Sequence, residues 1–211
     1  MEKISSPTTY RKELRDRILV ASMDEFRKLG IRQVKMDDIA NKLAISKRTL
    51  YEIYANKEKL LLECIKQSEE KINQQMRDFS SDPNHNVIDI IIEYYDTRIK
   101  NSSDVNPCLF EEMRKYPEVL EFFDTQHKER QVAQQVFFKR GLEEGYFRDD
   151  VDFEIVSMVG DASMKYVMQN QVYRNFKLDY ILHNIILLYV RGICTEDGVA
   201  KLDELLAERG I

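Results

Sequence analysis

A chain of 211 residues can bury a real core as one large domain or two small ones, and 43% apolar with 33% charged residues excludes a disordered chain. Seven glycines and four prolines beside plentiful Leu, Glu, Lys, Ile, Gln and Met favour helices with few turns. The net charge of −5 conceals an asymmetry: residues 1–57 hold 13 Lys/Arg against 8 Asp/Glu and the remainder 19 against 29, so only the first part suits a polyanion.

In chain order, a first helix is predicted from about Thr9 to Leu29, with Leu14, Ile18, Ala21, Phe26 and Leu29 on its inner face and Gly30 as its stop. Two short helices follow, about Asp37 to Leu43 and Ser46 to Tyr51, separated by two or three residues as in a helix-turn-helix. From Lys57, apolar positions at Leu61, Ile65, Ile72, Met76 and Phe79 mark a long amphipathic helix that ends at Ser80-Ser81-Asp82-Pro83. A fifth helix, about Val87 to Lys100, is apolar nearly all round, the pattern of a bundle centre. Pro107 opens a short sixth helix ending near Tyr116, and a seventh runs from about Pro117 to Glu144, closed by Gly145. Asp152 to about Asn175, Leu178 to Cys194 and about Glu196 to Arg209 complete the set. The expected fold is all-α: a small helix-turn-helix domain over residues 1–56 and a larger helical domain over 57–211.

Three cysteines, Cys64, Cys108 and Cys194, are odd in number and far apart, which suits neither a disulfide framework nor a metal site and points to a reducing cytoplasm. The segment MEKISSPTTYRKE lacks the apolar core of a signal peptide. Tyr180 to Val190, interrupted by His183 and Asn184, is too short to cross a bilayer.

The informative stretch is MDDIANKLAISKRTLYEIYANKEKL, Met36 to Leu60. Ser46 is placed to cap the second short helix, which sets Lys47, Arg48 and Thr49 in its first turn, the part of a recognition helix that reaches base edges. Arg or Lys can bond to guanine, and Thr can offer its methyl to thymine. Tyr51 and Tyr54 join this set, Tyr51 being the better placed to put its hydroxyl on a phosphate. Lys57 sits at a helix start, where the dipole disfavours a cation, so a DNA phosphate would satisfy both the lysine and the helix amides. Ile39, Leu43, Ile45 and Leu50 read as the small core behind these residues.

With Gly30 before it, the same stretch resembles the TetR family of bacterial transcription regulators. The resemblance rests on Ile39-Ala40, on Ser46 to Tyr51 and on Asn56-Lys57-Glu58, and it covers about Leu14 to Leu62. Gly141 to Gly160, GLEEGYFRDDVDFEIVSMVG, is more loosely similar to that family's loop between helices seven and eight. Three positions depart from the pattern: Lys35 stands for a capping threonine and could itself reach phosphate, Ala44 stands for the turn glycine, and Ile53-Tyr54 stands for a His-Phe pair. The resemblance implies a cytoplasmic homodimer on a palindromic double-stranded DNA operator, usually as a repressor, released when a small-molecule effector enters the helical domain and moves the fourth helix.

As in that family, helices eight and nine are the expected dimer surface, with Val156, Val159, Gly160 and Ser163 on one and Ile181, Ile185, Leu188 and Gly192 on the other. An effector pocket is expected among Tyr94, Tyr95, Phe110, Met113, Phe122, Phe123, Met158 and Tyr166, since pockets in helical bundles lie between helices and are mostly apolar. No cofactor, metal or membrane partner is expected. Catalysis is not expected either: the histidines are scattered, and no H-E-x-x-H, phosphate loop or nucleophile motif occurs. A helical protein-interaction adaptor would leave Lys47, Arg48 and Lys57 at helix starts unexplained.

Overall fold

The computed structural model describes residues 7–102 and 105–210. Among them run ten α-helices: α1 Pro7–Leu29, α2 Met36–Lys42, α3 Lys47–Ile53, α4 Lys57–Ser81, α5 Val87–Ser102, α6 Cys108–Met113, α7 Pro117–Glu143, α8 Phe153–Gln169, α9 Leu178–Ile193 and α10 Glu196–Glu208. No strand occurs among the described residues, so the chain is all-α as its composition predicts.

The residues gather into two compact units. One holds the described residues up to Lys71 together with those from 105 to Phe122; the other holds Ile72 to Ser102 and Phe123 to residue 210. The division differs from the boundary expected at residue 57, because α6 and the start of α7 pack with the first helices.

In the first unit, α1 buries Leu14, Ile18, Ser22 and Phe26 at steps of four residues. The inner row therefore passes through Ser22 instead of Ala21, and Leu29 is exposed. Gly30 ends the helix with φ +82°, its amide donating to the Phe26 carbonyl, and Ile31 and Val34 then turn inward. Ile39, Ala40, Leu50, Leu60 and Leu61 complete a core from which water is excluded. Asn106 holds the end of α1 from the α6 side: its amide donates to the Arg27 carbonyl at 2.7 Å and its side chain to the Lys28 carbonyl. Glu112 of α6 accepts the Arg32 amide at 2.7 Å.

In the second unit α5 is central, as its sequence predicts, packing against α9 and α10. Val87, Ile88, Ile91 and Ile92 meet Phe147, Val190, Ile193, Leu202 and Leu206 in one apolar cluster. Phe138 and Phe153 stack at 4.4 Å beside Phe147. Gly141 makes room for that ring, since a Cβ there would lie 2.0 Å from Phe147. Asp152 caps α8 by accepting the Glu154 and Ile155 amides, and Thr195 caps α10 by accepting the Gly198 amide. Helix α8 stops at Gln169, earlier than predicted. Gln171 takes a left-handed conformation, and a 3-10 turn, Val172–Arg174, tucks Tyr173 inward.

Candidate nucleic-acid interface

The two short helices of the first unit are joined by a turn whose hydrogen bonds define its shape. The Ala44 amide donates to the Asn41 carbonyl and the Ile45 amide to the Ala40 carbonyl, both at 3.0–3.1 Å. The pair is a Schellman ending, with Ala44 as its left-handed residue at φ +53°. An alanine therefore occupies the conformation that glycine adopts without strain. The N-terminus of α2 is held differently: the Lys35 amide donates to the Asp38 carboxylate, while the Lys35 side chain stays exposed.

Ser46 caps α3 as its position predicts. Its Oγ accepts the Thr49 amide at 3.0 Å and lies 2.8 Å from Thr49 Oγ1. The cap fixes the first turn, so Lys47 and Arg48 project into solvent. Both cations have carboxylate partners: Lys47 Nζ pairs with Asp37 of α2, and Arg48 Nε donates to Glu52, one helical turn on, at 2.8 Å. The bond to Asp37 holds the Lys47 ammonium pKa above its usual value, so this group stays charged. Tyr51 stands half exposed on the same short helix.

Tyr54 and Lys57 depart from the sequence expectation. Tyr54 is only 4% exposed, and its ring lies beneath the Arg15 guanidinium at 5.9 Å. Burial raises its hydroxyl pKa, and the residue belongs to the core of the unit, not to its reading face. Lys57 is half-buried, and its Nζ donates to the Ile31 carbonyl at 2.8 Å and the Val34 carbonyl at 3.0 Å. Desolvation lowers its pKa. These two bonds commit two of the three ammonium donors to the turn between α1 and α2. The cap of α4 comes from Asn56, whose side chain accepts the Lys59 amide.

The eight expected pocket residues are divided between the two units. Phe110, Met113 and Phe122 are half-buried in the first unit, and the others lie in the second. There Tyr95 is buried, with its hydroxyl 2.7 Å from His183 Nδ1. Tyr94 is turned outward beneath Arg98. Phe123 is half-buried. Met158 and Tyr166 are exposed on α8 and line no interior. A surface concavity of about 440 Å³ elsewhere in that unit is lined by Glu144, Gly145, Tyr146, Asp197, Ala200, Lys201 and Glu204.

The rows expected to face a second copy are partly turned into their own unit. On α8 the exposed apolar residues are Ile155, Met158, Val159 and Tyr166. Val156 leans on the unit's own core, Gly160 is half-buried, and Ser163 Oγ bonds the Tyr189 hydroxyl of α9 at 2.7 Å. On α9 the outward row is Tyr180, Asn184, Leu188 and Gly192 at steps of four, with Leu188 71% exposed. Ile181 is buried and Ile185 half-buried, so neither is the outer edge of that helix. The signal missed in the sequence was the i, i+4 spacing of Arg48 and Glu52. The Lys47–Asp37 contact joins two helices and the Arg32–Glu112 contact joins a turn to α6, and neither leaves such a mark.

Among the described residues no helix is long and apolar enough to cross a membrane, and no group of His, Cys, Asp or Glu could hold a metal ion. No curated protein sequence matches the chain. Solved structures do. A TetR transcription regulator from Haloarcula marismortui superposes with a TM-score of 0.68 at 19% identity, over 87% of this chain and 100% of that one. A protein described as a transcriptional regulator from Saccharomonospora viridis, in complex with choline, gives a TM-score of 0.68 at 15% identity over 88% and 100%. SmeT in its triclosan complex gives 0.65 at 15% over 87% and 93%. At these identities the likeness is one of fold. Residues 18–64, which contain the capped α3 and its supporting helices, match the model for bacterial regulatory proteins of the tetR family, and over that segment the chain is similar to them.

Proposed function

We propose that the chain is a ligand-responsive repressor that binds a palindromic double-stranded DNA operator as a homodimer. The observation that carries this reading is the seven-residue α3, capped by Ser46 and propped by the α2 turn, which sets Lys47 and Arg48 outward in its first turn. A helix so presented fits the major groove, where each base pair shows a distinct pattern of donors, acceptors and methyl groups. Lys35, Ser46, Lys47, Arg48, Thr49 and Tyr51 form its contact surface; Lys57 and Tyr54 hold that surface in shape from behind.

Two arguments support a dimer. One α3 reads only a few base pairs, so useful specificity requires two half-sites. The exposed apolar rows of α8 and α9 supply a surface for a second copy. A small-molecule effector is supported by the choline and triclosan complexes of proteins sharing the fold. Helix α4 contributes residues to both units, which makes it the route by which a ligand bound in the body can change the α3 surface.

Binding to duplex DNA as salt is raised tests the reading. Neutralising several phosphates per half-site should cost orders of magnitude in affinity between about 50 and 200 mM salt. Arg48→Ala should relax preference at one base position in each half-site. A purified chain that binds no duplex at low ionic strength would overturn the proposal.

A further inference from the structure

Helix α3 holds a single carboxylate, Glu52, and it lies on the same side as Arg48, one turn away. The bond between them is end-specific: Nε of Arg48 donates to Glu52 Oε1 at 2.8 Å, while the two terminal amines of the guanidinium make no bond among the described residues. Arg48 is 88% and Glu52 58% exposed, and an ion pair so wet adds too little to hold a helix together. Nor does Glu52 help a polyanion bind, since its charge repels every duplex alike.

A carboxylate with no use in folding and a cost in affinity is explained by discrimination. Building on the proposed DNA reading, we infer that Glu52 is a positioning residue that determines specificity. It grips Arg48 by Nε, so the guanidinium offers its terminal amine pair, as a fork of fixed orientation, to the O6 and N7 acceptors of one guanine. Arginine's planar fork makes such fixing worthwhile, because less side-chain freedom is then lost on forming two parallel bonds. Where another base stands at that position, Arg48 finds no matching acceptor pair, and a guanidinium held by Glu52 is not free to turn toward a different partner. Lys47, a point charge paired to Asp37 of α2, has no plane to orient, and no comparable role follows for its partner.

The test uses the full chain and a randomised duplex pool. Preferred duplexes are recovered with the parent, then each base pair is changed singly and measured against the parent, Arg48→Ala, Glu52→Ala and Glu52→Gln. The position where Arg48→Ala loses preference marks the guanine it reads, worth on the order of tenfold in the parent. Glu52→Ala should lose preference at that same position and bind unrelated duplex a few-fold tighter, on the order expected for removing one repelling charge. Glu52→Gln should share the gain on unrelated duplex yet keep part of the preference, because its side-chain oxygen still accepts from Nε. A residue acting only on folding would move affinity for all duplexes together. An unchanged preference profile in Glu52→Ala, or a change at a different base pair, overturns the inference and leaves the DNA reading standing. A parent with no preference across the pool overturns the DNA reading itself.

Discussion

The reading head and the helical body face one task, holding helices at fixed angles, and meet it by different means. In the head, α2 and α3 have seven residues each, too few to bury much apolar surface or to be stable alone. Their angles are set by side chains that bond directly to the main chain: Ser46 to Thr49, Lys57 to Ile31 and Val34, Asn106 to Lys28, Glu112 to Arg32. In the body, helices of 13 to 27 residues bury long apolar rows, and the rings of Phe138, Phe147 and Phe153 fill the space between them. Such rows give stability without directional bonds, but they also leave apolar side chains outside, as on α8 and α9. The head is thus held by its local geometry, while the body presents an exposed apolar face on α8 and α9, the one proposed above for a second copy.

The largest effect is expected where that face is broken. Replacing Ile155 and Leu188 together by Asp puts four charges into the proposed interface of two copies and removes apolar contacts from both sides. Each side chain is more than half exposed, so folding of one copy should change little. The double variant should sediment as a monomer at ~1 μM, and its binding to a two-half-site duplex should fall on the order of a hundredfold or more as the second contact is lost. A parent that is itself monomeric, or a variant that remains dimeric, would show that these rows serve another purpose.

Much of the chain was legible because its helices punctuate themselves. Gly30, Ser46, Asn56, Asp152 and Thr195 each mark a helix end by a side-chain cap or a left-handed turn that short-range chemistry requires. Faces were less legible than ends. Helix α9 is apolar on more than one side, so a stripe through Ile181, Ile185 and Leu188 and one through Tyr180, Asn184 and Leu188 fit the sequence equally well. Only packing against α5 decides that Ile181 is inside. The carbonyl partners of Lys57 were hidden for a related reason. Its place at a helix start marks it as a cation out of keeping with the dipole, and a phosphate and two carbonyls from a turn 23 and 26 residues upstream satisfy it alike. The interior of the body gave no usable signal for a ligand, because a pocket aromatic and a core aromatic share the same spacing.

Lys57 sharpens the comparison from the side of the head. Lys57→Met keeps the apolar stem and removes the ammonium, leaving the Ile31 and Val34 carbonyls without their donor. An unsatisfied buried acceptor costs ~1–3 kcal/mol, so a loss of about 2 kcal/mol is expected in chemical denaturation. Binding should weaken by a similar factor on every duplex, because the α1–α2 turn behind the reading surface loosens. The salt dependence separates this from a direct phosphate contact. Removing a phosphate-bound lysine lowers the slope of affinity against salt by about one and leaves the folded stability alone. Stability unchanged and a shallower slope would return Lys57 to the DNA surface.

The smallest effect is a gain. Ala44 sits at φ +53° in the α2–α3 turn, and an L-residue in the left-handed region costs ~1–2 kcal/mol that glycine does not. Ala44 is exposed, so Ala44→Gly removes no packing. Against the relief stands the greater freedom of glycine in the unfolded chain, worth ~0.4–1 kcal/mol. The balance should be a stabilisation of about 0.5–1 kcal/mol, seen as a rise of roughly 1–3 °C in Tm. Ala44→Val, β-branched and barred from this torsion, should lower Tm instead. The two variants together test the turn itself: a fall with glycine would mean that residue 44 is not left-handed, and the Schellman bonds that aim α3 would have to be drawn differently. Since residue 44 lies outside the proposed contact set, a stabilised Ala44→Gly that kept the parent's sequence preference would also show that α3 is aimed by the turn's hydrogen bonds and not by the alanine's strain.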